Sequence, residues 1–150
     1  MALANMTQQE TNEHNRNHCK RIAEELEQFI SGELYRCPEC GEICTITEVD
    51  HEGQTLYECS ECAFASEVEP DSVSVYDWME DALDVEYRTD SRKQLRSVEV
   101  CVTCGGPNIY VDTADAKVKL YWGSDRAEYP ISYRAADALD DWAEEQFACE

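Results

Sequence analysis

Positive charge is scarce in this sequence. Lysine and arginine number 12 against 33 aspartate and glutamate residues, which gives a formal net charge of −21. No lysine or arginine lies between Arg36 and Arg88, and those 51 residues hold fifteen acidic ones. Such a chain repels nucleic acid and anionic membranes, so we expect it to bind neither directly and to prefer a partner with a basic surface. Solubility in high salt would also explain the acidity, but nine cysteines have no evident role there.

Familiar enzyme and targeting motifs are missing as well. The chain has three histidines and no G-x-S-x-G, H-E-x-x-H or phosphate-binding glycine loop, so we expect that it is not an enzyme. It has no secretory-signal pattern and no run of eighteen apolar residues. These absences favour a cytoplasmic protein whose cysteines are reduced or bound to metal.

Four cysteines form two C-x-x-C pairs, Cys37 with Cys40 and Cys59 with Cys62, and eighteen residues separate the pairs. That interval suits one β-hairpin, and four thiolates at this spacing can close a tetrahedral Zn²⁺ site with no position for a catalytic water. Two disulfides or four ordinary buried thiols are the alternatives. Residues 35–68 resemble a zinc ribbon. The resemblance implies a fold element that binds either nucleic acid or other proteins, and it leaves the function open.

Apolar periodicity predicts three helices. The first runs over about residues 8–30 and ends before Gly32; we expect it to pack on the core, with a dimer interface as the alternative. The second covers residues 75–86 and the third begins after Ser132 as its N-cap. Each of the last two has an acidic face opposite its apolar stripe. The carboxylates proposed to bind a partner are Asp77, Glu80, Asp81, Asp84, Asp137, Asp140, Asp141 and Glu144.

Alternating β-rich segments predict two hairpins and therefore an α+β fold. One hairpin joins residues 43–49 and 55–57 through a turn at residues 50–53, within the zinc ribbon. A strand over residues 95–102 precedes the second hairpin, formed by residues 109–113 and 117–122. We divide the chain into an N-terminal amphipathic helix (1–34), a zinc ribbon with an acidic helix (35–90), and a small antiparallel sheet with a C-terminal acidic helix (91–150).

The last division could be a degenerate duplicate of the second. With an offset of 64, Cys37 and Cys40 fall on Cys101 and Cys104, although Cys59 and Cys62 fall on other residue types. Three interpretations of Cys101 and Cys104 remain open. They are leftover buried thiols, ligands of a second zinc together with His14 and His18 or with Cys19, or a redox or dimer-bridging pair. Cys44 is interpreted as a buried thiol, because the four other ribbon cysteines complete a zinc site.

The two acidic helix faces suggest what the protein does. Carboxylates at i, i+3, i+4 and i+7 lie about 5–6 Å apart along a helix, which is comparable to the spacing of phosphate charges on nucleic acid. Held rigidly, they would suit a lysine- and arginine-rich groove that normally binds DNA or RNA. Solvated surface helices are the plainer explanation. An adaptor or regulatory subunit that docks through its zinc ribbon is the alternative function, and a zinc or thiol enzyme is less favoured.

A second resemblance covers roughly residues 95–148. It is carried by residues 104–113 (CGGPNIYVDT), 119–122 (KLYW) and 126–130 (RAEYP). These segments are similar to stretches in small acidic proteins of phages and mobile elements, some of which are anti-CRISPR or anti-restriction inhibitors. The resemblance implies a phage-encoded protein in the host cytoplasm that blocks a nucleic-acid-binding defence complex. It leaves open whether the protein is a monomer or a homodimer.

Overall fold

The computed structural model describes residues 7–148, and within them it shows an α+β fold of three helices and two antiparallel sheets. The helices are α1 (Gln8–Ser31), α2 (Val75–Met79) and α3 (Tyr133–Ala148). The first sheet has the order β1 (Leu34–Arg36), β2 (Ile43–His51), β3 (Gln54–Cys59) and β4 (Ala65–Ser66). The second has the order β5 (Asp84–Thr89), β6 (Leu95–Thr103), β7 (Asn108–Asp112), β8 (Lys117–Trp122) and β9 (Asp125–Pro130). No helix in this part of the chain is both long and apolar enough to cross a membrane.

Helix α1 lies across β8 and β9 and is part of the core. Its first turn is capped by Thr7, whose side chain accepts a hydrogen bond from the Glu10 amide at 3.1 Å. It ends at Gly32, which has a positive φ of 79° and forms a left-handed C-terminal cap, a conformation that glycine adopts without strain. Its Cys19, Ala23, Leu26 and Phe29 are buried. The prediction of a core-packing helix that ends at Gly32 is therefore confirmed.

The second sheet supplies most of the core on the face that α1 and α3 cover. Alternate residues of its central strands point toward the helices, and the side chains that are fully buried there are Val98, Val100, Ile109, Val111, Val118 and Leu120. Helix α3 adds Ala135, Leu139 and Ala143, which are also fully buried. Ser132 caps α3, as predicted, by accepting a hydrogen bond from the Ala135 amide at 3.0 Å. The Glu27 carboxylate of α1 accepts from both the amide and the hydroxyl of Ser132, and it thereby joins the two helices.

The opposite face of this sheet carries a charged cluster centred on Asp112. The Asp112 side chain is almost completely buried, and it accepts hydrogen bonds from Arg88 on β5 at 3.0 Å and from Lys119 on β8 at 3.1 Å. Burial opposes ionisation, but the hydrogen bonds from the two cations outweigh it and lower the pKa of Asp112. Arg88 also pairs with Glu99 at 2.7 Å. Asp112 is thus a structural acid that ties three strands together.

The first sheet is a small meander with the predicted hairpin at its centre. Strands β2 and β3 pair from Ile46 with Cys59 to His51 with Gln54, so the turn consists of Glu52 and Gly53. Both residues have positive φ, 51° and 83°, which matches the twist that a two-residue hairpin turn requires. The sheet joins the rest of the molecule where the Val73 amide donates to the Leu34 carbonyl at 2.8 Å.

The predicted helix over residues 75–86 is wrong beyond Met79. Helix α2 has only five residues, and its N-cap is Ser74, which forms a reciprocal capping box with Asp77. The chain then turns, and the Leu83 amide donates to the Cys101 carbonyl, which starts β5 beside β6. Leu83, which would lie on the apolar stripe of the predicted helix, is 60% exposed. Strand pairing outweighs helix propagation here, because Val85 and Tyr87 alternate with polar residues and pair with Val100 and Val98.

The two halves of the chain share an order of elements. In each half a cysteine turn is followed by a hairpin, a further strand and a helix. Their strand registers differ, because the β2–β3 turn has two residues whereas residues 113–116 join β7 to β8. The duplication and the division of the chain into three segments stay predictions. Strand β5 lies before residue 90, in the second predicted segment, and it pairs with β6 of the third.

Candidate metal centre and acidic surface

The structure brings Cys37, Cys40, Cys59 and Cys62 together at one end of the first sheet. Their Sγ atoms all lie within 4.8 Å of one another. Each C-x-x-C pair forms a tight turn, closed by hydrogen bonds from Gly41 N to the Cys37 carbonyl and from Ala63 N to the Cys59 carbonyl. Within residues 7–148 this is the only group of three or more His, Cys, Asp or Glu side chains placed to hold a metal ion.

The geometry of the cluster fits a metal ion that is coordinated tetrahedrally by four thiolates. A Zn–S bond of about 2.3 Å gives tetrahedron edges of roughly 3.8 Å. The Sγ atoms of Cys37 and Cys62 are 3.7 Å apart, and those of Cys40 and Cys59 are 3.9 Å apart. Four protein ligands complete the coordination, so a metal held here has a structural role. The sulfur ligands suit zinc. Soft thiolates favour zinc, copper(I) and iron–sulfur clusters over magnesium and calcium.

Backbone amides favour the ionised form of one ligand. The Glu61 amide approaches the Cys59 Sγ at 3.3 Å and, together with the Cys62 amide, lowers the pKa of Cys59 to about 6 despite its burial. The Cys40 amide lies 3.5 Å from the Cys37 Sγ in the equivalent turn. These amides would stabilise the thiolates that hold a metal ion.

Cys44 is a fifth cysteine in direct contact with the cluster. It is buried on β2, as predicted, but the sequence did not indicate that its Sγ lies 3.3 Å from the Cys59 Sγ. Burial, together with the neighbouring Cys59, raises the pKa of Cys44 to about 11. In the structure the Cys59 thiol donates a hydrogen bond to the Cys44 sulfur. A metal held by Cys59 would displace that proton and leave Cys44 as the only possible donor of the pair.

The structure does not assemble the second metal site considered for Cys101 and Cys104. Cys101 follows Val100, which faces the helices, so the Cys101 side chain lies on the opposite face of the sheet from α1. His14 and His18 belong to α1, and Cys19 is buried in the core beneath it. Burial raises the pKa of Cys101, whereas Cys104 is exposed in the turn. The side chain of Asn108, the first residue of β7, accepts a hydrogen bond from Gly105 N across that turn.

The acidic residues proposed to bind a partner separate into two kinds. Asp77 is occupied by the Ser74 cap and by an ion pair with Arg36 at 3.7 Å, and Asp84 lies on β5. These two carboxylates do not continue a helical array with Glu80 and Asp81, which lie after the end of α2. The α3 carboxylates remain on one helix, where Asp137, Asp141 and Glu144 are exposed and Asp140 is half-buried.

The carboxylates of α3 have no ion-pair partner within residues 7–148. Six of the twelve basic residues form ion pairs there, and each of these pairs involves an acid outside α3. Arg134 is the single cation of this helix, and it donates to the Ile30 carbonyl. Burial and the neighbouring charges of Asp137, Asp141 and Glu144 raise the pKa of Asp140. The hydroxyl of Tyr76 on α2 donates to Glu145, so the acidic side of α3 adjoins α2.

An apolar cavity of about 110 Å³ opens beside the four cysteines. Cys37 and Cys59 line it together with Ile46, Tyr57 and Phe64. Val68, which is 75% exposed, lies at the same cavity.

Comparisons with protein-family models, with curated proteins and with solved structures found no match to this chain.

Proposed function

We propose that this protein is a zinc-binding inhibitor that occupies the basic groove of a nucleic-acid-binding complex by presenting the acidic face of α3. The observation that carries this proposal is the unpaired state of the α3 carboxylates. Within the part of the chain that the structure describes, five acids on this 16-residue helix have no ion pair, whereas the acids around Arg88 and Lys119 do. Like charges at i, i+4 destabilise a helix, so an uncompensated acidic stripe fits a surface that meets cations elsewhere.

The metal centre has a supporting role in this proposal. Cys37, Cys40, Cys59 and Cys62 would hold Zn²⁺, which stabilises the small first sheet. The acidic surface would include Asp137, Asp141, Glu144 and, across Tyr76, Glu80 and Asp81. The partner class follows from the resemblance to phage inhibitors, and it is a host DNA- or RNA-handling defence complex of the CRISPR or restriction type.

Charge reversal on α3 tests the proposal. The variant Asp137→Lys/Asp141→Lys/Glu144→Lys changes three exposed side chains, so it should keep its helical circular dichroism. Used as bait on a bacterial lysate, the wild-type protein should retain a nucleic-acid-binding complex that elutes at moderate salt or with added duplex DNA or RNA. We expect the variant to retain at least about tenfold less of it, since each lost charge pair weakens an electrostatically complementary interface.

The matched control reverses three exposed acids of the ribbon, Glu61, Glu67 and Glu69, and so removes the same charge from another surface. Equal loss from both triple variants would mean that overall charge, and not the α3 face, binds the partner. A partner complex that stays bound at high salt and is not displaced by added nucleic acid would contradict the proposal outright.

The cavity beside the cysteines favours a second candidate function, an adaptor that docks through its ribbon. Burial of Val68 and of this apolar cavity against a partner would stabilise a complex. This function predicts that partner binding resists salt and persists in the α3 charge-reversal variant. Binding should be lost in Val68→Asp, a change at a largely exposed position that leaves the fold intact.

A further inference from the structure

We propose that Cys44 and Cys59 form a thiol-oxidation site, at which a hydroperoxide joins the two sulfurs in a disulfide and thereby releases the metal from the cluster. The inference rests on the cysteine cluster alone and is independent of what the acidic surface binds.

Proximity is the first support. The two sulfurs are only 3.3 Å apart, closer than the Cys37–Cys62 and Cys40–Cys59 sulfur pairs of the four-cysteine group, at 3.7 and 3.9 Å. Both residues are buried, and they lie on neighbouring strands, with Cys59 opposite Ile46, two residues beyond Cys44. Side chains two residues apart on a strand share a face, which explains why the sulfurs meet.

Cys44 is also the one cysteine of the five that the metal does not need. A tetrahedral site uses four thiolates and leaves Cys44 as an additional thiol. A resolving thiol must be free to attack, and the three remaining ligands are held by the metal. This difference makes Cys44 the expected partner of Cys59, ahead of Cys40.

The cavity gives a small oxidant access to Cys59. Cys59 and Cys37 both line it, and its volume of about 110 Å³ exceeds the roughly 30 Å³ that one water molecule occupies in the liquid. Hydrogen peroxide, two oxygen atoms long, therefore fits beside the Cys59 sulfur although the side chain is buried.

The chemistry balances with hydrogen peroxide as oxidant. The Cys59 thiolate attacks one peroxide oxygen and breaks the O–O bond. Cys59 becomes a sulfenic acid, and the departing hydroxide takes a proton to form water. The Cys44 sulfur then attacks the sulfenic sulfur, the S–O bond breaks, and the thiol proton leaves with the hydroxyl as a second water. Two electrons pass from the thiols to the peroxide. Cys59 can no longer ligate, so three thiolates remain for the metal.

The test uses the zinc-loaded full chain, with equimolar hydrogen peroxide and a chromogenic zinc chelator that reports release. We expect Cys44→Ser to release zinc at least about fivefold more slowly than the wild type, because its sulfenic acid lacks the resolving thiol. Cys101→Ser is the matched control, a buried cysteine outside the cluster, and should release zinc at the wild-type rate. Dithiothreitol should restore zinc binding in the wild type.

Peptide mapping locates the bond directly and does not depend on any variant folding. Glutamates at positions 39, 42, 48, 58, 61 and 67 place each of the five cysteines on its own peptide after cleavage at glutamate. We expect residues 43–48 linked to residues 59–61. A link from 59–61 to 40–42, or between the peptides that carry Cys37 and Cys62, overturns the proposal, as does zinc release from Cys44→Ser at the wild-type rate.

Discussion

Removal of the metal should unfold residues 37–66 and leave the second sheet folded. The buried apolar cluster around the metal centre consists of Cys37, Cys44 and Cys59, with only Ile46 and Phe64 packed against it. So small a cluster cannot offset the conformational entropy of ordering the ribbon. Structural zinc sites contribute about 10 kcal/mol or more of apparent binding free energy, and this energy is also folding energy.

Amide hydrogen exchange before and after a strong chelator measures this effect. Protection of β2 and β3 should be lost, whereas the amides of Val98, Val111 and Leu120 should stay protected because they belong to the large core. Cys104→Ser, which changes an exposed cysteine outside the cluster, should behave as the wild type does. Native protection of β2 in metal-free protein would show that the sheet folds without its metal.

Replacement of Asp112 should produce the second large effect. Asp112→Ala leaves Arg88 and Lys119 facing a buried position without their shared carboxylate, and breaking such a pair costs about 3 kcal/mol. Urea denaturation measures the change as a lower midpoint with an unchanged slope. Asp115→Ala is the control, because Asp115 contacts the same Lys119 from an exposed position and should cost less than about 1 kcal/mol.

Acid should abolish this contribution. The folded pKa of Asp112 lies below its usual value of 3.8, so the stabilisation is complete above that value and disappears as the pH falls through the folded pKa. The difference in unfolding free energy between wild type and Asp112→Ala should therefore be constant near neutrality and shrink below pH 3.8. A difference that persists unchanged into strong acid would mean that Asp112 acts through packing instead of charge.

The parts of the fold that the sequence predicted are those with a local chemical signature. Gly32 and Ser132 mark helix boundaries by their caps, and the spacing of the four cysteines predicted the cluster that could hold a metal ion. Strand β5 was missed because residues 75–84 fit a helical period, and only pairing with β6 decides where that helix ends. The contact of Cys44 with Cys59 and the burial of Asp112 depend on which strands become neighbours, and no short sequence pattern reports that.

The first sheet joins the rest of the molecule close to the point where the chain enters and leaves it, through the Leu34–Val73 hydrogen bond, the Arg36–Asp77 ion pair and the packing of Ile43 on the core. The chain leaves the core after Leu34 and returns at Val73, with Tyr35 and Ser72 bridged beside the junction. The two ends are adjacent, so a short loop could replace the 36 residues from Arg36 to Asp71 without stretching the core. Helix α3 and its acidic face would remain in such a shortened chain. The fold thus places the four-cysteine cluster and the helix α3 carboxylates on separate parts of the molecule.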